Sequence, residues 1–330
     1  MSRRLSIVCT MIVFVFVSAA SGCSSVSNPS VASHSGAAGI QETPQFSGSW
    51  TTKASMPTAR QLLAIGVVNG ILYSVGGYSN NTPLNTVEAY NYRTNTWTAN
   101  RALMPTARFG HAAGVINGIL YAVGGYDGNN DLNTVEAYDP FANTWTTKAS
   151  MPTARSALAV GVVNGILYAV GGYNGSVYLN TVEAYDPATD SWTAKTSMPT
   201  ERNGLAVGVV NGILYAVGGD NGIGYSYQNT VEAYNPATNT WTTKASMPTA
   251  RTALAAGVER GRLYAVGGYN GGALNTVEAY NPATNTWTTK ASMPTARAGV
   301  AAGVVRRILY AVGGYGGGFL NTVEAFNSRE

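Results

Sequence analysis

The chain has 330 residues, with 20 Lys or Arg against 16 Asp or Glu, and its formal net charge at pH 7 is +4. No basic stripe or cluster stands out along the sequence, so nothing in it indicates a nucleic-acid-binding protein. The only two cysteines, Cys9 and Cys23, lie near the N-terminus, so the rest of the chain has to be held together by packing without disulfides.

The first predicted element is an export signal. Arg3 and Arg4 precede an apolar run from Leu5 to Ala20, which is too short for a stable membrane anchor and typical of a secretory signal peptide. The sequence Ala20-Ser-Gly-Cys23 resembles a bacterial lipobox, whose cysteine is diacylated and becomes the mature N-terminus, although Ala20 stands where Leu is usual. We therefore expect residues 1–22 to be a signal peptide and Cys23 to be lipidated. Ordinary cleavage with a free thiol, and a twin-arginine signal, are the alternatives.

The segment after Cys23 predicts a tether. Ser24 to about Gln45 is rich in Ser, Ala and Gly and carries almost no charge, so it cannot bury enough apolar surface to order itself. A flexible chain of about 22 residues spans on the order of 25 Å. The predicted organisation is thus a signal peptide at 1–22, a flexible tether at 23–45 and a folded domain at 46–330, in the cell envelope and on the periplasmic or surface side.

The folded domain consists of one repeated unit. A double glycine after a short apolar run occurs six times, and successive pairs begin 48, 47, 47, 49 and 46 residues apart. The pairs are Gly76/Gly77, Gly124/Gly125, Gly171/Gly172, Gly218/Gly219, Gly267/Gly268 and Gly313/Gly314. A fixed period in this range is typical of repeat architectures.

One period reads as a four-stranded antiparallel sheet. In the third repeat, Ser156–Val163 and Ile166–Val170 flank an Asn-Gly turn, and Asn180–Tyr185 and Ser191–Lys195 flank an Asp-Pro turn. Short segments rich in Val, Ile, Tyr, Thr and Trp with such turns between them indicate hairpins. No segment has helical periodicity.

The glycine pair, the Tyr of Glu-Ala-Tyr and the Trp that follows resemble the kelch repeat, over roughly residues 46–330. The resemblance implies an all-β, six-bladed β-propeller of four-stranded blades. Trp50 precedes the first glycine pair, and the last repeat stops before its own Trp segment. We therefore expect Ser49–Lys53 to supply the missing fourth strand of the last blade and to close the ring without an open sheet edge.

Several repeated residues are predicted to be structural. The glycine pair permits close backbone approach, Trp and Tyr pack between blades, and Val160, Val162 and Val163 with their equivalents fill the core. Two charged rings allow two interpretations: each Arg pairs with a Glu and locks the blades, or the Arg ring binds carboxylates or sulfates. The rings are Arg60, Arg108, Arg155, Arg202, Arg251 and Arg297, and Glu88, Glu136, Glu183, Glu232, Glu278 and Glu324.

Variation between the repeats concentrates at two places, the loop after each glycine pair and the residue after each Arg. In kelch propellers both places lie around the mouth of the central channel, so the resemblance implies a binding face there. Tyr and Asn at a concave mouth suit sugars or peptides. The predicted binding residues are Tyr78, Tyr126, Tyr173, Asp220, Tyr269, Tyr315, Tyr225, Tyr227, Phe109 and Asn203. Solvated hairpin tips without a ligand are the alternative.

Catalytic chemistry has little support in the sequence. Some kelch propellers are copper radical oxidases, which need a Cys cross-linked to a Tyr and two His ligands, but residues 46–330 contain no Cys and only one His, His111, so that activity is excluded. No metal or cofactor is predicted, and an Asp127-Gly-Asn-Asn-Asp131 segment only faintly resembles a calcium loop. Certain exported kelch propellers epimerise sialic acid, and the candidates for such a reaction here are Glu201, Arg202, Asp220 and His111. Glu201 replaces the Ala of the other repeats.

The sequence therefore predicts a monomeric binding propeller for a glycan or protein, attached to the membrane through its lipid anchor only and not binding nucleic acid. A carbohydrate epimerase is the alternative, and a structural scaffold is the third possibility.

Overall fold

The computed structural model describes residues 48–222 and 226–328. The predicted signal peptide, the lipidation site Cys23, the tether and Tyr225 lie outside the described residues, so these assignments stay predictions. Within the described ranges every regular element is a β-strand, and no helix is long and apolar enough to cross a membrane.

The strands form six four-stranded antiparallel sheets, which confirms the predicted six blades. Blade 1 contains β2 (Ala64–Val68), β3 (Ile71–Val75), β6 (Val87–Asn91) and β7 (Thr96–Thr98), with a short hairpin of β4 (Tyr78–Ser79) and β5 (Thr82–Pro83). Blade 2 contains β8 (Ala112–Ile116), β9 (Ile119–Val123), β10 (Val135–Asp139) and β11 (Thr144–Lys148). Blade 3 contains β12 (Ala159–Val163), β13 (Ile166–Val170), β14 (Val182–Asp186) and β15 (Ser191–Lys195).

Blades 4 to 6 repeat the same arrangement. Blade 4 contains β16 (Ala206–Val210), β17 (Ile213–Val217), β18 (Val231–Asn235) and β19 (Thr240–Lys244). Blade 5 contains β20 (Ala255–Glu259), β21 (Arg262–Val266), β22 (Val277–Asn281) and β23 (Thr286–Lys290). Blade 6 contains β24 (Ala301–Val305), β25 (Ile308–Val312), β26 (Val323–Asn327) and β1 (Ser49–Lys53).

The N-terminal strand closes the ring, as the sequence predicts. Strand β1 pairs antiparallel with β26, so that Ser49 lies opposite Asn327 and Lys53 opposite Val323. The Trp50 ring lies 5.1 Å from the Phe326 ring, in the place of the Trp and Tyr pair of the other blades. Both ends of the described chain therefore belong to one sheet, and blade 6 is complete.

The antiparallel order gives the propeller two different faces. In blades 1 to 5 the first and second strands, and the third and fourth, are joined by tight hairpins at one end, here called the lower face. In blade 6 only β24 and β25 are joined in this way, because β26 and β1 come from opposite ends of the chain. The loop after the glycine pair and the segment that enters the next blade lie at the opposite end, here called the upper face. Typical lower hairpins are Asn-Gly turns, in which Asn164 has φ 50° and Gly165 φ 78°, as a type I′ turn requires.

The core lies between neighbouring blades. A Cβ on Gly114 of blade 2 would stand 2.9 Å from Leu167 Cδ1 of blade 3, so glycine lets the blades touch. The Tyr185 ring lies 5.2 Å from Trp192 in its own blade and 5.8 Å from Tyr121 in blade 2. This is the predicted packing of Tyr and Trp.

The innermost strands line a central channel. Val160 and Val162 are half-buried and, with their equivalents in blades 4 to 6, border a cavity of about 260 Å³. Both residues also pack against the buried cluster between blades 2 and 3, as the sequence predicts, although each is only half-buried. Of the three valines Val163 alone is fully buried.

Candidate functional site

The glycine pairs position the upper face. In blade 3, Gly171 and Gly172 have φ 62° and 103°, and the Gly172 N–H donates to the Arg202 carbonyl of the next blade over 2.8 Å. A Cβ on Gly171 would lie 2.5 Å from the same carbonyl oxygen. The pair thus turns the chain where two blades approach too closely for a side chain.

The Arg ring is structural. Every ring Arg is 0% exposed, and each pairs with the Glu of its own repeat over 2.5–2.9 Å. In blade 3, Arg155 Nη1 donates to the carbonyls of Gly171 and Thr181, and the Thr153 hydroxyl donates to Glu183. Burial lowers the pKa of Arg155, and the charge of Glu183 opposes that shift. No Arg side chain of the ring is presented to a ligand, so the pairing interpretation is the correct one.

The two variable positions of each repeat pair with each other at the upper face. Backbone bridges join the residue after each Arg to the residue after each glycine pair. The bridged pairs are Gln61 with Tyr78, Phe109 with Tyr126, Ser156 with Tyr173, Asn203 with Asp220, Thr252 with Tyr269 and Ala298 with Tyr315. Residues that lie about 17 positions apart in sequence thus form one rim around the mouth.

A third variable position, of which only Tyr227 is among the predicted binding residues, completes the rim. It precedes the last residue of each loop and bridges back to the residue after the glycine pair. Its members are Pro83, Asp131, Tyr178, Tyr227, Ala273 and Phe319. Three of these side chains lie over the loop of the next blade, because a Cβ on Gly128, Gly175 or Gly222 would meet Pro83, Asp131 or Tyr178. The signal available in the sequence was the variability of this position between otherwise similar repeats.

On one side of the mouth the predicted aromatic residues pack together. Tyr78, Tyr126 and Phe109 are only 9%, 8% and 3% exposed. The Phe109 ring lies 4.7 Å from Tyr78 and 5.5 Å from Tyr126, and Phe319 of blade 6 lies 6.1 Å from Tyr78. These rings bury each other and offer little face to a ligand.

The other side of the mouth is more open. Tyr173, Asn203, Asp220, Tyr227, Tyr269 and Tyr315 are all half-buried. Tyr178 lies 5.4 Å from Tyr173, and Tyr227 lies 5.7 Å from Tyr269, edge to face. Burial, with a smaller contribution from the charge of Asp220, raises the pKa of Tyr178 to about 12, so its hydroxyl stays protonated. Blades 3 to 5 thus combine ring faces with hydroxyl and amide groups.

Asp131 is a half-buried acid of the rim. Burial raises the pKa of its carboxyl, and the nearby Ser156 hydroxyl offsets only part of that rise. Asp131 Oδ1 and Ser156 Oγ are both buried and neither makes a hydrogen bond of normal geometry. An acid whose pKa is perturbed by burial near a binding mouth is a typical mark of a functional position. Asp127, at the other end of the loop, instead accepts hydrogen bonds from the N–H groups of Asn129 and Asn130.

The four catalytic candidates are not equally accessible. Arg202 is fully buried and forms an ion pair with Glu232. His111 is only 5% exposed and occupies the position that other repeats fill with Leu or Val. Glu201 is exposed and Asp220 is half-buried, with Asp220 Oδ1 accepting the Gly222 N–H over 2.6 Å. Within residues 48–222 and 226–328 no three His, Cys, Asp or Glu side chains lie close enough to hold a metal ion.

These features define a closed six-bladed propeller with a variable, partly aromatic mouth at one face of its channel. A family model described as the KLHDC2/KLHL20/DRC7 Kelch-repeats domain matches residues 47–219 and 194–330, so the chain belongs to the kelch-repeat family. A solved structure titled "Structure of YjhT" is similar with a TM-score of 0.71 and 17% identity, over 82% of this chain and 95% of that one. That likeness concerns the fold alone. A search of curated proteins finds no match.

Proposed function

We propose that this protein is an exported, lipid-anchored binding propeller whose upper face recognises a glycan or a protein ligand. One observation carries the proposal: the three positions that vary between the repeats meet at this face, while the repeated residues build the blades. Near-identical repeats would suffice for a scaffold. Different side chains at one mouth are what an asymmetric ligand requires.

The open side of the mouth indicates the kind of contact. Tyr173, Tyr178, Tyr227 and Tyr269 supply ring edges and faces for the apolar faces of sugars or for peptide side chains. Asn203 adds an amide group for hydrogen bonds. The signal peptide and the lipidation of Cys23 that the sequence predicts support a location in the cell envelope.

The epimerase alternative has less support. Proton transfer needs acid or base groups that can reach one ligand. Of the four candidates only Glu201 and Asp220 are open to solvent, while Arg202 and His111 are buried.

A glycan and peptide library screen of residues 47–330 tests the proposal. The variant Tyr178→Ala with Tyr227→Ala removes two rings at a position where blade 5 has Ala273, so the fold tolerates the change. The control is Phe141→Ala, because Phe141 is fully exposed on the lower face and blade 3 has Ala188 there. We expect binding that the double variant abolishes and the control retains. Binding that both variants retain would remove the upper face from consideration.

A further inference from the structure

The lower hairpin of blade 6 departs from the repeat. Blades 1 to 4 join their first two strands through uncharged Asn-Gly turns: Asn69-Gly70, Asn117-Gly118, Asn164-Gly165 and Asn211-Gly212. Blade 6 has Arg306-Arg307, with φ values of 51° and 64°. This left-handed conformation suits Asn and Gly and is unfavourable for side chains such as Arg. The turn would form more readily with the pair used elsewhere, so the two charges point to a role beyond turn formation.

A third arginine joins them across the blade boundary. Blade 1 has Tyr92-Arg93 in its outer lower hairpin, where blades 3 to 5 have Pro-Ala. Arg93 Nε donates to the Tyr92 hydroxyl over 3.1 Å, and Arg306 of blade 6 also lies at that hydroxyl. Both arginines lower the pKa of Tyr92. We call Arg93, Arg306 and Arg307 the lower arginine patch.

The charge of the patch is not compensated by nearby acids. All three side chains are exposed, and among the described residues no ion pair joins them to a carboxylate. The next basic hairpin residue, Arg260 of blade 5, is already paired with Glu259 over 2.9 Å. The lower hairpins of blades 2 and 3 carry Asp139 and Asp186. The lower face is therefore positive at blades 6 and 1 and negative at blades 2 and 3.

The chain enters the propeller in the blade that carries Arg306 and Arg307. Strand β1 begins at Ser49, opposite Asn327, at the lower edge of blade 6. Residues 1–47 are thus connected to the same blade and the same face that carry Arg306 and Arg307. The lipid anchor that the sequence predicts at Cys23 would be linked to the propeller through this edge.

We propose that the lower arginine patch binds the anionic head groups of a lipid bilayer and seats the propeller with its upper face directed away from the membrane. Guanidinium groups match phosphate geometry, and basic residues next to an anchor add a second, electrostatic contribution to membrane binding. The proposal goes beyond the proposed function, because a ligand-binding mouth does not require a lipid-binding face.

Vesicle co-sedimentation of residues 47–330 tests this without the predicted anchor, since these residues contain all six complete blades. The vesicles are phosphatidylcholine, alone or with about 30% phosphatidylglycerol. The test variant is Arg306→Asn, Arg307→Gly and Arg93→Ala, which restores the residues of the other blades. We expect wild type to bind the anionic vesicles at low salt, and the variant to bind on the order of a hundredfold more weakly.

The control removes three positive charges elsewhere. Lys148, Lys195 and Lys244 are changed to Asn, the residue that blade 1 has at this position, Asn100. This control is expected to bind like wild type. The proposal is overturned by equal binding to neutral vesicles, by an equal loss in the lysine control, or by binding of soluble heparin without binding of vesicles. Because the anchor is absent, these results do not depend on lipidation of Cys23 or on the upper face.

Discussion

The buried side chain of His111 leads to a prediction about how the free energy of unfolding depends on pH. It stands in the slot that blades 1, 3, 4 and 5 fill with Leu63, Leu158, Leu205 and Leu254. Both ring nitrogens are buried without a hydrogen-bond partner, and burial, assisted by the charge of Arg108, lowers the pKa of His111 to about 3. We expect His111→Leu to stabilise the protein by about 1–3 kcal/mol at pH 7.5, since two unpaired polar atoms are replaced by an apolar group.

The advantage of His111→Leu grows in acid. The pKa of His111 in the folded state lies below its unfolded value of about 6.5. The wild-type protein therefore keeps its full stability above pH 6.5 and loses stability as the pH falls toward 3. At pH 5 the unfolded chain binds the proton and the folded chain does not. This difference amounts to about 1.5 pH units at 1.36 kcal/mol each, or about 2 kcal/mol.

Thermal unfolding of residues 47–330 at pH 7.5 and pH 5 measures both effects. The gap in Tm between His111→Leu and wild type should widen by about 4 °C at pH 5. Leu158→His, the reciprocal change in blade 3, should acquire the same pH dependence beside Arg155. A gap that is identical at both pH values would refute the reasoning, because it would show that the His111 ring reaches water or a partner.

Three further predictions concern the buried pairs, the glycines and the rim. Glu183→Gln should lower the free energy of unfolding in urea by about 3–5 kcal/mol, because Arg155 keeps a buried charge without its partner. Gly171→Ala should lower the Tm clearly more than Gly165→Ala; both have positive φ, but only Gly171 would place Cβ against a backbone oxygen. Asp131→Asn should raise the Tm at pH 7 and lose this advantage below about pH 3.8, since the raised pKa makes the ionised form unfavourable in the folded state.

Each of these has a result that contradicts it. Glu201→Ala is the control for the buried pair, because it removes an exposed charge and restores the Ala of the other repeats. An equal loss from Glu201→Ala and Glu183→Gln would show that burial of the pair does not matter. Equal effects of the two glycine substitutions would mean that the turn conformation, and not the blade contact, selects Gly171. A pH-independent effect of Asp131→Asn would show that the Asp131 carboxyl is solvated.

The fold could be predicted almost completely from the sequence, for a physical reason. Strand pattern, Asn-Gly turns and glycine pairs act within one repeat, and six copies of one local pattern allow few arrangements other than a ring of blades. Closure by Ser49–Lys53 followed from counting segments, because a missing strand at one end matched an extra strand at the other.

The candidate site was less predictable, because it depends on contacts between unlike loops. The sequence placed Tyr78 and Tyr173 in one ring of equivalent residues. In the structure Phe109 and Phe319 from the adjacent blades bury Tyr78, whereas Tyr173 is only half-buried. Asp131 lies beside Ser156 only because its loop lies over the next blade. Nothing local to either residue encodes that approach.

The lower arginine patch also depends on tertiary contacts that the local sequence does not determine. Arg93 and Arg306 stand more than 200 positions apart, so the sequence contains no basic cluster. Closure of the ring brings blade 6 beside blade 1 and both side chains to one Tyr92 hydroxyl. The repeats determined each blade, since their information is local. Tertiary structure alone decided which side chains meet across the blades, because those distances depend on how the whole ring closes.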